Sequence, residues 1–197
     1  MSIMNFSANC LYHVYNHEND KKKIFFEEKN YHYFINKLRN STSGHCDILA
    51  YCLMPNHFHI LIYLSEESDG LKNMANQNQQ ILVRKIGTVL SSHSQVINKQ
   101  ESKSGSLFQQ KTKSKQLTSA SYATTCFHYI HQNPLRAKLV ENMEDWEFSS
   151  FNDFLSNKSS VCNLTVAREL LDISENPEQF FKDSYKVIDQ GIIEDLL

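Results

Sequence analysis

The chain has 197 residues, 41% of them hydrophobic and 21% charged. That is an ordinary globular balance, enough for one domain of about 150 residues with appended helices or for two small domains. No apolar run approaches the roughly 18 residues of a membrane span, and the N-terminal stretch lacks the basic-then-apolar layout of a secretory signal. A net charge of −2 sets the chain apart from the clearly basic transcription factors and architectural DNA proteins. The charge is uneven, however. Lys99, Lys103, Lys111, Lys113 and Lys115 face one acid, Glu101, in a local basic strip, and acids prevail after Glu141.

Cys10, Cys46, Cys52, Cys126 and Cys162 are odd in number and never spaced as CxxC. They read as free thiols of a reducing compartment, which makes a cytoplasmic location the expectation.

Residues 10–15 are aromatic and β-branched and predict a first strand. A turn at 16–20 and the basic run Lys21-Lys22-Lys23 follow. Over 28–39, Tyr31, Phe34, Ile35 and Leu38 keep the i, i+3, i+4, i+7 stripe of an amphipathic helix. Two apolar runs, 46–53 and 57–64, flank Met54-Pro55-Asn56; proline is excluded from a central strand, so the pair predicts a hairpin. A second helix is expected over about 71–98, with Leu71, Met74, Ile81, Leu82, Val89 and Ile97 inward. Residues 108–117 read as strand or extended loop, and 119–132 as a third helix stopped by Asn133-Pro134. Short helices are expected near 148–155, 165–172 and 177–187. This order predicts an α+β protein: a ferredoxin-like or RRM-like antiparallel sheet covered by helices on one face, with a C-terminal helical extension. A catalytic domain at 1–155 and a helical extension at 156–197 is the expected division.

His57-Phe58-His59 is the sharpest local feature. Alternate side chains of a strand share a face, so the two imidazoles project together while Phe58 enters the opposite core. Such a pair can hold one divalent ion with positions left for water and phosphate oxygens; taken alone, it reads more readily as surface or hydrogen-bonded hairpin histidines. Tyr129 and Asn133, four apart, share one helical face and can reach one small volume. Alone, they read as a tyrosine closing the core and a residue ending the helix. His131 is turned away from Tyr129.

Together the fragments resemble a family. Ala50 to His59 (AYCLMPNHFH), Gly105 to Lys111 (GSLFQQK), Tyr129 to Ala137 (YIHQNPLRA) and Trp146 to Ser150 (WEFSS) fall in the order and spacing of the REP-associated tyrosine transposases, single-tyrosine HUH nucleases related to insertion-sequence-200-like transposases. Tyr12 to Asn16 and Ile24-Phe25 also fit, so the resemblance spans about residues 9–155. It implies metal-dependent cleavage and rejoining of single-stranded, hairpin-bearing DNA through a 5′-phosphotyrosine. Tyr129 would be the nucleophile, and His57, His59 and Asn133 the ligands of Mg²⁺ or Mn²⁺, with Zn²⁺ also compatible. Lys111, Lys113, Arg136 and Lys138 stand where DNA phosphates would be met, and a homodimer is left open. Tyr12, Tyr15 and Phe108 are candidates for base stacking or, more simply, core. His17 departs from the pattern, since many relatives carry arginine there. The alternative is a domesticated, catalytically silent protein that binds structured DNA. A small-molecule hydrolase would need an acid–base carboxylate beside these motifs, and none is present.

Overall fold

The computed structural model describes residues 4–18, 23–73 and 80–196. Met74, Asn19, Asp20, Lys21 and Lys22, which figured in the sequence reading, lie outside them.

Four strands form one antiparallel sheet: β1 (Cys10–His17), β2 (Asp47–Met54), β3 (His57–Leu64) and β4 (Lys113–Leu117), in the order β2-β3-β1-β4. With α1 (Glu28–Thr42) after β1 and α2 (Ile81–Gln100) after β3, this is the ferredoxin-like arrangement expected. β1 and β3 are central and largely buried, as strands covered on both faces are.

The strand period of two divides the sheet sharply. Tyr12 and Val14 of β1, Leu53 of β2 and Phe58, Ile60 and Ile62 of β3 share the first face by their register. There Phe58 meets Phe34 of α1 at 5.2 Å between ring centroids and Phe108 at 5.9 Å. At this core's edge His93 Nε2 of α2 donates to the Ile24 carbonyl at 2.7 Å; the carbonyl can only accept, so Nε2 carries the proton.

The second face carries helices too, which corrects the expectation of a one-sided cover. α3 (Ala120–Arg136) packs across β2, β3 and β4 there. The reason lies in composition: Cys52, Met54 and Leu61 make the second face of β2 and β3 apolar as well, so it cannot be left in water. Buried Cys126, Phe127 and Ile130 of α3 meet it.

Two helix limits also differ from expectation. α2 begins at Ile81, after a short 3₁₀ turn at Asp69–Leu71, where a helix from 71 was expected. α3 runs through Pro134 to Arg136 rather than stopping at Asn133. Proline removes one N–H donor, but Ala137 N–H donates to the Asn133 carbonyl at 2.9 Å and carries the last turn.

Ser119 caps the other end of α3, its hydroxyl accepting from Tyr122 N–H at 3.2 Å. Ser119→Ala should therefore lower stability by about 1 kcal/mol, read as a shifted urea midpoint with unchanged slope.

Beyond α3 lie α4 (Phe151–Leu155), α5 (Leu164–Leu171), α6 (Pro177–Ser184) and α7 (Gln190–Leu196). Phe127, Phe151, Phe154 and Phe180 form one aromatic cluster that joins α3, α4 and α6. Among the described residues no helix is long and apolar enough to cross a membrane.

Candidate active site

The second face of the sheet carries an imidazole cluster. Register pairs His17 with His57 and Tyr15 with His59, so odd-numbered β1 residues lie beside the HFH pair. The His17 and His57 rings stack at 5.0 Å, and the His13 and His59 rings also at 5.0 Å. Tyr129 of α3 comes down edge-on, 5.6 Å from His59 and 6.4 Å from His13 between centroids. The Asn133 amide N–H donates to the Tyr129 carbonyl at 2.9 Å, which places its side chain close enough to the Tyr129 phenol and to His57 to act on the proton affinity of both. His57, His59, Tyr129 and Asn133 thus occupy one small volume.

Electrostatics fix their charge states. Burial, and then the neighbouring imidazoles of His13, His57 and His17, hold His59 well below the ordinary histidine value. Burial and then His17 push His57 down to about 4, against the Asn133 contact. Both rings are neutral at physiological pH, the form that can donate a lone pair to a metal. His59 Nε2 is buried with no hydrogen-bond partner among the described residues, an arrangement that a bound ion would satisfy. No three His, Cys, Asp or Glu side chains among the described residues are grouped to hold a metal. Burial raises the Tyr129 phenol above its usual value, partly offset by Asn133, so Tyr129 rests protonated.

Acid should destabilise the metal-free fold. His57, His93 and His128 are lowered to about 4 and His13 to about 3, each mainly by burial. The folded state stays neutral while the unfolded chain takes up protons below the unperturbed value of about 6.5. Stability is therefore complete above pH 6.5 and falls from there to about 4, more gently to about 3. Each histidine adds a slope of at most about 1.4 kcal/mol per pH unit. Urea melts between pH 7 and 4 in EDTA check this.

The other expected residues scatter. His131 is buried in a different core, with Nε2 2.7 Å from Ser150 Oγ. Lys113 reaches over the Tyr15 ring at 5.3 Å, on the imidazole face. Arg136 is exposed at the end of α3 and donates to Gln190 Oε1 at 3.1 Å; Lys138 follows it, exposed. Lys111 lines a groove against α2 with Gly87 and Ser91. Tyr12, Tyr15 and Phe108 are buried, which makes them core rather than stacking platforms.

Sequence reasoning missed His13, His17 and Asn56. A signal existed: His13, Tyr15 and His17 alternate on β1 as His57 and His59 do on β3.

This four-stranded ferredoxin-like sheet with its helices is a fold shared with a solved REP-associated tyrosine transposase. The solved structure of such a protein bound to a REP hairpin superposes with a TM-score of 0.58 over 94% of this chain and 97% of that one, at 14% identity. In sequence the chain is similar to a curated Haemophilus influenzae protein named "Putative REP-associated tyrosine transposase", 23% identical over 124 residues, 60% of this chain and 69% of the relative. No family model matches the chain.

Proposed function

We propose that this chain is a metal-dependent endonuclease and strand transferase acting on single-stranded, hairpin-bearing DNA through a 5′-phosphotyrosine. One observation carries the reading: the Tyr129 phenol, the Asn133 amide and the two neutral imidazoles of His57 and His59 lie together, and His59 Nε2 is buried with no hydrogen-bond partner among the described residues. The two relatives in the transposase class point the same way.

In this reading His57, His59 and the Asn133 carbonyl hold Mg²⁺ or Mn²⁺, leaving other positions to water and phosphate oxygens. When bound, the metal supplies charge stabilisation for the scissile phosphate. Tyr129 supplies the nucleophile. Its Oη forms a bond to phosphorus as the bond to the 3′-oxygen breaks; the phenol proton leaves and the departing oxygen takes one up, giving a free 3′-hydroxyl. The phosphodiester is kept in the tyrosine ester, so a 3′-hydroxyl can reverse the step and join strands without ATP. Asn133 lowers the proton affinity of the phenol, the direction a nucleophile needs, against the larger upward push of burial. Lys113 on the imidazole face and Arg136 and Lys138 at the end of α3 would meet phosphates flanking the cut, with Lys111 just before β4.

The test is incubation of the protein with labelled hairpin-bearing single strands and Mn²⁺ or Mg²⁺, followed by a denaturing gel. A protein-linked band supports the reading. Tight hairpin binding with no such band across a broad oligonucleotide pool leaves the silent DNA-binding alternative in its place.

A further inference from the structure

We propose that His13 is a positioning residue which, through a relay of two imidazole hydrogen bonds, holds His59 in the tautomer whose Nε2 lone pair is free for a divalent metal. The inference rests on the reading of His59 as a metal ligand and deepens it.

The relay begins at a group with no choice. His13 Nδ1 lies 3.2 Å from the Leu196 carbonyl oxygen, which can only accept, so Nδ1 carries the proton. His13 is fully buried, with no carboxylate among its hydrogen-bond partners and the Lys115 strand position directly opposite. A second proton on it would be an uncompensated buried charge, so the ring is neutral and Nε2 must accept. That nitrogen is 2.8 Å from His59 Nδ1, which must therefore donate. A neutral His59 has then spent its single N–H, and Nε2 bears the lone pair. This is the nitrogen that is buried and has no hydrogen-bond partner among the described residues.

The neighbouring ligand obeys the same rule by a shorter route. Asn56 Oδ1 lies 2.8 Å from His57 Nδ1 and accepts from it, so His57 also presents Nε2. Free histidine prefers the opposite tautomer, with its proton on Nε2. Two independent partners, one on β1 and one in the β2–β3 turn, thus impose the same less favoured state on both rings. Metal-bound histidines need such partners, and losing one costs about 10–100-fold in metal affinity.

The relay also gives α7 a task. Tyr122 Oη donates to Asp195 Oδ2 at 2.6 Å, and Lys115 pairs with Asp195 Oδ1 at 3.0 Å. These contacts hold the Leu196 carbonyl over β1, where it selects the His13 tautomer.

The test uses metal-free full-length protein labelled with ¹⁵N at histidine, with the His59 signals assigned by their loss in His59→Gln, and Mn²⁺ titration calorimetry alongside. Wild type should show His59 protonated at Nδ1 and bare at Nε2. His13→Phe keeps the ring volume and removes the acceptor; His59 should move its proton to Nε2 and Mn²⁺ should bind about 10–100-fold more weakly. His13→Gln, whose Oε1 can accept the same proton, should keep the tautomer and most of the affinity, which a packing role would not predict. A wild-type His59 protonated at Nε2 overturns the relay. So does a folded His13→Phe with unchanged tautomer and affinity; if that variant does not fold, the wild-type spectrum and His13→Gln decide. A wild type that takes up no Mn²⁺ overturns the metal reading of the site, while the spectrum still decides the tautomer by itself.

Discussion

Tyr129→Phe should abolish the protein-linked DNA band, lowering strand cleavage by about 10⁴-fold or more, while hairpin affinity and folding persist. The ring is what the fold uses: Tyr129 is buried, with its edge against His59 and His13. Phenylalanine keeps those contacts and loses only the hydroxyl and its Asn133 contact, a cost of about 0.5–1.5 kcal/mol. Activity and stability therefore separate. The measurement is a denaturing gel of adduct beside a urea melt of the same preparation. Residual adduct in a folded variant would move the nucleophile to another residue.

Phe58→Ala should have the largest effect on stability, about 3–5 kcal/mol, although it stands between the two proposed ligands. Phe58 is 0% exposed and packs on Phe34 and Phe108. Against a whole-domain stability of about 5–15 kcal/mol, that loss moves the urea midpoint far and leaves part of the chain unfolded at 37 °C. What folds should keep its ligand geometry, so adduct formed per folded molecule should stay near wild type. His57→Ala and His59→Ala should do the converse, folding but failing to bind Mn²⁺. Calorimetry with Mn²⁺ on all three separates the two faces of one strand.

Much of this was legible in the chain. The apolar runs around Met54-Pro55-Asn56 located the β2–β3 hairpin because proline leaves a central strand few options. The HFH alternation located Phe58 in core and the imidazoles opposite. Helix spacing placed Tyr129 and Asn133 together. Cross-strand register was not legible: nothing local sets His13 beside His59, since that pairing depends on how β1 slides along β3. Nor could periodicity show that a second helical layer covers the sheet. The apolar faces of α3 and β2 read as core without saying whose core they join. The contact between Leu196 and His13 spans 183 positions and left no trace in composition.

The division of β3 has a consequence for folding fidelity. If the hairpin paired one residue out of step, every side chain of the strand would change sides. Two imidazoles would then be driven into a phenylalanine core, and a phenyl ring would be set among the histidines of the other face. Misaligned chains would lose in both solvation and packing, so His57, Phe58 and His59 together reject the wrong alignment. The proposed metal-ligand pair and the register of the central hairpin are thus written in one tripeptide, and a substitution there acts on both.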